Sequence, residues 1–179
     1  TERYLTERFI TASIDVDASY TSEVLHDQRL VQGDYIPSFE VMSIDIESDY
    51  QTGALFSIAF VTRAHQKTLI IGEGEDSQTI EYLVDEKALL SRWVAWVEKI
   101  DPDIFIGWNV VNFDFRLLHK RAQALEIPLT IARDQSVPAW RRAQTDTGHY
   151  FMSIPGRVVL DGIDTLKTAT YSFASFSLE

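Results

Sequence analysis

The 179-residue sequence carries 27 acidic and 16 basic side chains, for a net charge of −11, with 45 % apolar and 24 % charged residues and no cysteine. This is the make-up of a globular chain, one domain or one domain plus a piece of another, long enough to bury a core. It excludes a disulfide framework, a thiolate metal site and a generally basic nucleic-acid-binding surface, and no apolar run nears the ~18–20 residues of a membrane-spanning helix.

In chain order, residues 4–14 and 16–20 read as a strand pair. Residues 21–38 are mixed and acidic, with Gly33 and Pro37 as breakers. A clean strand pattern covers residues 39–47, where Val41, Ile44 and Ile46 are β-branched and no Gly or Pro intervenes. Alternation places Asp45 and Glu47 on one face, about 6–7 Å apart along the backbone, and Met42, Ile44 and Ile46 on the other. Two adjacent carboxylates repel each other and lose hydration in an apolar strand, and a divalent cation between them relieves both. Two ordinary solvated acids at a strand end fit the same spacing.

Strands at 55–61 and 68–71 follow as an antiparallel meander, then an acidic loop over 72–79. The pair Gly72 and Gly74 is not a phosphate loop, because the following helix and lysine are missing. Asp85 can cap a helix through Ile100, with Leu89, Trp93, Trp96, Val97 and Ile100 on one core-facing stripe, and Asp101-Pro102 stops it. The strand 104–108 comes next, parallel to an earlier one because a helix crosses over between them.

Asn112 is then a candidate N-cap for a helix over 113–126, with Asp114 in its first turn, where the helix dipole favours a carboxylate. Asp114, Leu118, Arg121 and Leu125 share a stripe, so Asp114 is expected to point inward, toward the face bearing Asp45 and Glu47. His119 lacks a metal-ligand partner at helical spacing and is expected to be exposed. Residues 127–138 form a loop with Pro128 and Pro138, and 140–144 and 149–154 form a hairpin around Thr145-Asp146-Thr147-Gly148. Val158-Val159-Leu160 reads as a last buried strand, and Asp161 and Asp164 as caps of a short helix.

Charge is uneven. Residues 1–50 hold 11 acids and 3 bases, whereas residues 115–142 hold 6 bases (Arg116, Lys120, Arg121, Arg133, Arg141, Arg142) and 2 acids. The basic stretch is either a solvated helix face and loop or a phosphate-steering patch.

Asp45-Ile46-Glu47 and Asn109-Val110-Val111-Asn112-Phe113-Asp114 resemble, in type, order and separation, the first two motifs of the 3′→5′ proofreading exonucleases of family-B DNA polymerases. The likeness continues through Ile106-Gly107-Trp108, residues 156–164, the tail 173–179 and the opening 4–10, and is greatest to the bacterial, polymerase II type. It implies an α/β, ribonuclease-H-like (DnaQ-like) mixed sheet with flanking helices. Residues 1–37 would be the end of an N-terminal domain or a linker, and residues 38–179 the exonuclease domain.

The resemblance also implies an enzyme: a DNA-directed DNA polymerase with 3′→5′ exodeoxyribonuclease activity, serving replication or repair. Its cofactors would be two divalent cations, Mg²⁺ or Mn²⁺. Asp45 would bridge both, Glu47 would hold the one carrying the attacking water, and Asp114 the other, mainly through solvent. Asn109 and Phe113 would help place the terminal nucleotide, although a packing role explains Phe113 equally well. The partners would be DNA with a single-stranded 3′ end and the remaining polymerase domains, with no membrane, in the cytoplasm that the absence of cysteine suits.

The family's third motif, a tyrosine with an aspartate four residues on, is expected beyond residue 179, since Tyr171 is followed at that spacing by Ser175. Without an initiator Met, and with an apparent helix onset at 177–179, the sequence reads as an incomplete exonuclease domain that by itself binds metal weakly and cleaves poorly. A related metal-dependent RNA 3′ exonuclease and a non-catalytic scaffold module are the competing readings.

Overall fold

The computed structural model describes residues 2–7, 9–10, 13–16, 30–144, 148–169, 171 and 173–178. They fall into two compact units, Thr1–Ser38 and Phe39–Glu179. In the first unit, helix α1 (Glu2–Glu7) precedes strands β1 (Ile14–Val16) and β2 (Leu30–Gln32). β1 and β2 pair antiparallel, Ile14 opposite Gln32 and Val16 opposite Leu30. The strand expected over residues 4–14 is thus replaced at its start by a helical turn. Arg3 and Glu7 meet at 2.7 Å across that turn, a pairing that only the helical i, i+4 spacing allows. The rest of the expected second strand, residues 17–20, lies outside the described residues.

The second unit is built on one six-stranded sheet. Strands β3 (Val41–Ser48), β4 (Leu55–Val61) and β5 (Gln66–Ile71) form the antiparallel meander, and β6 (Ile80–Leu83) adds in parallel to β5. After helix α2 (Glu86–Ile100), strand β7 (Ile104–Gly107) returns parallel to β3, and β10 (Val158–Asp161) lies parallel to β7, giving the order β10-β7-β3-β4-β5-β6. A π-helical turn (Val111–Phe115) runs directly into helix α3 (Arg116–Ala124). The hairpin of β8 (Ala139–Arg142) and β9 (Tyr150–Ser153) and the short helix α4 (Gly162–Thr168) complete the unit. The expected hairpin turn at 145–147 lies outside the described residues. The sheet is mixed and flanked by helices, the α/β arrangement expected.

Burial follows the strand alternation. Met42, Ile44 and Ile46 of β3 are buried with Ile58, Phe60, Leu69, Leu89, Trp93, Phe105, Phe115 and Leu118, while Asp45 and Glu47 lie on the open face. Asp85 caps α2 by accepting from Ala88 N–H at 2.7 Å, and Asp101 ends it with a left-handed φ of 51°.

One strand is new and three expectations are corrected. β6 was not legible: it is four residues long, carries Glu81 and has no buried position. β10 is an edge strand rather than a buried one, with Val158 52 % and Leu160 47 % exposed. Asn112 is not an N-cap, because it lies inside the π-helical turn. Residues 177–178 are irregular rather than the onset of a helix.

Candidate active site

β3 outruns its neighbour. Its pairing with β7 ends at Ser43 opposite Ile106, whereas its pairing with β4 continues to Ser48 opposite Leu55, with a bulge after Glu47. Beyond Ser43 the β7 side of β3 therefore has no ladder partner from that strand, and a buried N–H there must be met by something else. Asp114 meets it: one carboxylate oxygen accepts the Ile46 N–H at 3.1 Å, and the residue is only 2 % exposed. The inward direction expected from the stripe with Leu118 is what the structure has.

Local sequence explains how the chain reaches that position. Gly107 is compulsory, since a Cβ there would sit 2.8 Å from Val110 Cβ and 2.9 Å from the Ile44 carbonyl oxygen. Asn109 takes a left-handed φ of 56°, a conformation that asparagine tolerates better than most residues. The chain then enters the wide turn, in which Phe115 N–H reaches back to the Val110 carbonyl at 2.9 Å. Phe115 anchors that turn in the core against Phe105 (5.3 Å, edge-on) and Trp93 (6.1 Å).

Burial pushes the Asp114 carboxyl up to about 7, and the neighbouring charges of Asp45 and, less strongly, Asp161 add to the rise against the hydrogen bonds that lower it. Asp45 and Asp114 thus feel each other. Glu47 shares the open face with Asp45, yet among the described residues no group of three or more His, Cys, Asp or Glu side chains is gathered tightly enough to hold a metal ion. The donor set is all carboxylate oxygen, which suits a hard divalent cation, and a buried acid beside a second carboxylate is stabilised as an anion by such an ion.

A cleft of about 500 Å³ is lined by Asn109, Asn112, His149, Asp164, Lys167 and Phe176, among others, and by none of Asp45, Glu47 and Asp114. Asn112 accepts the Tyr150 N–H at 2.8 Å and its amide nitrogen is 3.2 Å from His149 Nδ1, while His149 Nε2 is 3.4 Å from an Asp164 oxygen. Burial raises the Asp164 carboxyl, against the opposing pull of His149. Phe113 is 47 % exposed and does not line this cleft, so its side chain is not buried packing.

Asp161 caps α4 as expected, accepting from Ile163 N–H at 2.9 Å, and its other oxygen accepts from Val111 N–H at 3.0 Å. Asp164 is in the first turn of that helix and pairs with His149 instead of capping.

The basic stretch is sorted by its partners. Arg121 binds Glu86 through two nitrogens and Arg133 binds Asp101 and Asp103. Arg116 lies 3.7 Å over the Tyr150 ring and Arg141 4.5 Å over Phe151. His119 is half-buried, its ring 5.7 Å from that of Trp140 and its pKa lowered by burial, so the expected exposure is corrected.

A sequence model of the DNA polymerase family B exonuclease domain matches residues 4–179. The chain belongs to that family. It is 38 % identical to DNA polymerase II of Escherichia coli over 184 residues, covering 99 % of this chain and 23 % of that protein. DNA polymerase 1 of Pyrococcus abyssi is 27 % identical over 170 residues, covering 92 % of this chain and 22 % of that protein. The family B DNA polymerase of Pyrobaculum calidifontis shares the fold with a TM-score of 0.56 at 21 % identity, over 89 % of this chain and 21 % of that one. The family B exonuclease domain described here thus spans less than a quarter of the length of these curated relatives.

Of the cleft's lining, Asn109 and Asn112 belong to the motif read in the sequence, and the rest carried no sequence signal. His149 and Phe176 come from segments that only the fold brings to Asp164 and Lys167 of α4. The second bond of Asp161 was equally invisible, because its partner Val111 lies 50 residues earlier. No helix among the described residues is long and apolar enough to cross a membrane.

Proposed function

We propose that this domain removes nucleotides from the single-stranded 3′ end of DNA and serves as the proofreading exonuclease of a polymerase II-type DNA polymerase, in replication or repair in the cytoplasm. Asp45, Glu47 and Asp114 would hold two divalent cations, Mg²⁺ or Mn²⁺. Such ions activate a water and stabilise the leaving oxygen in phosphodiester hydrolysis. Residues 38–179 form the exonuclease domain in this reading, residues 1–37 the end of a preceding domain or a linker. Primer-template DNA and the other polymerase domains are its partners.

The single observation that carries the reading is the buried Asp114 carboxylate, fastened to the Ile46 N–H and electrically coupled to Asp45. The chain's own residues have clear tasks. The β3 backbone holds Asp114 in place, Asp45 and Glu47 present their oxygens on the open face, and Gly107 and Asn109 turn the chain into the acid-bearing turn. Asn109 lines the cleft, where it can meet the terminal nucleotide. Phe113 is exposed and free to stack on a base.

The test is release of nucleoside monophosphate from single-stranded DNA by the full-length protein with Mg²⁺ or Mn²⁺. Replacing Asp45 and Glu47 by Ala is expected to abolish it. Unchanged release would favour a non-catalytic scaffold, the second reading, which the lack of a tight three-carboxylate group among the described residues keeps in play. Faster cleavage of a matched RNA strand than of DNA would favour an RNA 3′ exonuclease.

A further inference from the structure

We propose that Asp161 is a positioning residue for this exonuclease site: its carboxylate fixes the start of the turn that carries Asp114, and so fixes where that acid meets a divalent ion. The inference rests on the reading of Asp45 and Asp114 as metal ligands and deepens it.

Asp161 is the last residue of β10, paired with Gly107 at the end of β7, and is 4 % exposed. Capping α4 needs one acceptor oxygen, and the bond from Ile163 N–H supplies it at 2.9 Å. The other oxygen is surplus to that role. It accepts at 3.0 Å from the N–H of Val111, which opens the π-helical turn. The residue before the turn, Val110, gives no side-chain cap, so the first N–H of the turn depends on a distant acceptor.

The acceptor is itself held rigidly. A Cβ on the next residue, Gly162, would sit 2.8 Å from Trp108 Cε3, so α4 starts in close contact with the end of β7. Thr165 Oγ1 donates to the Asp161 carbonyl at 2.7 Å. Asp114, three residues after Val111, is thereby held between two backbone bonds. Its own carboxylate is bonded to Ile46, and the turn beneath it is bonded to Asp161. A carboxylate that orients a ligand-bearing segment without touching the ion typically matters ten- to a hundredfold in metal affinity.

The experiment uses the full-length protein, with Mn²⁺ binding titrated directly and exonuclease kinetics measured on single-stranded DNA. Asp161→Ser keeps a hydroxyl that can cap α4 but has no second oxygen for Val111. It is expected to unfold a few degrees below the parent, because the buried Val111 N–H loses its acceptor, to bind Mn²⁺ ten- to a hundredfold more weakly, and to lose kcat with KM for DNA unchanged. Asp161→Glu keeps the charge while its longer arm displaces the carboxylate, and it is expected to lose Mn²⁺ affinity too. Parental affinity in Asp161→Ser would overturn the proposal, as would a lower unfolding temperature with unchanged affinity. Parental affinity in Asp161→Glu alone would assign the effect to charge and also overturn it. Asp114→Ala is the control: if it binds Mn²⁺ like the parent, the reading of the metal site fails, and positioning by Asp161 fails with it.

Discussion

Asp114 and Ile46 lie 68 residues apart in sequence, and the carboxylate of one closes the backbone hydrogen bond of the other at 3.1 Å where β7 has ended. One side chain therefore serves the sheet and the acidic corner together. Asp114→Ala is expected to leave the Ile46 N–H buried and unpaired, costing about 1–3 kcal/mol of stability. It should also reduce nucleotide release in the full-length protein by at least about a hundredfold, if the acid holds an ion in the reaction. Denaturant unfolding and cleavage assays on the same preparation check both effects.

The raised Asp114 carboxyl gives the metal-free protein a pH-dependent stability. Its folded value of about 7 lies above the ordinary 3.8, so between the two the folded state keeps a proton that the unfolded state has released. Its contribution is full below about pH 4 and is lost as pH rises through 7, an effect on the order of a few kcal/mol. In chelator, the denaturant midpoint is expected to fall between pH 5 and pH 8, and Asp114→Asn is expected to flatten that fall. Adding Mn²⁺ at pH 8 should restore much of the loss in the parent and little in Asp114→Asn.

Glu86 works the opposite way. Burial pushes its carboxyl up, but the Arg121 guanidinium and the Leu55 N–H at 2.9 Å hold it below the ordinary 4.5. Its stabilisation is present above that value and is lost as pH falls through the lowered folded one. Glu86→Ala frees Arg121 and Leu55 at once, and a loss of roughly 1–3 kcal/mol is expected at pH 7 with a smaller loss at pH 3. Thermal unfolding at the two pH values distinguishes this from a simple packing defect.

Gly107→Ala is expected to be worse than a single methyl suggests. The new carbon would lie under 3 Å from both Val110 Cβ and the Ile44 carbonyl oxygen, and Ile44 belongs to a buried strand that cannot shift freely. Overpacking of this kind costs roughly 1–3 kcal/mol. Because the displaced segment leads directly to Asn109 and Asp114, the proposed nucleotide release should fall further than stability alone explains. Comparing activity at 15 °C, far below the unfolding transition, with that of the parent isolates this local effect.

Which features were legible depended on how far apart in sequence their causes lie. The meander, α2 with its Asp85 cap and the parallel return of β7 each announce themselves in a short window of alternation or helical periodicity. The opposite faces of β3 were readable for the same reason: Asp45 and Glu47 are two residues apart. The inward aim of Asp114 followed from its spacing to Leu118. The turn type did not, because a π-helical turn differs from an α-helical one in the reach of its backbone bonds, as from Phe115 N–H to the Val110 carbonyl, which no side-chain pattern encodes. Helix α1 was missed because six residues with aromatic and branched neighbours carry little periodic signal. The exposure of β10 was missed because a run of Val-Val-Leu looks the same at the edge of a sheet as at its centre.

The wide turn at Val111–Phe115 holds one more residue than an ordinary helical turn would need. Each residue advances a helix by about 100°, so removing one would convert the turn to a regular one and swing Asp114 by roughly that angle, off the end of β3. Deletion of one residue here is therefore expected to abolish the proposed nucleotide release while leaving the six-stranded scaffold standing.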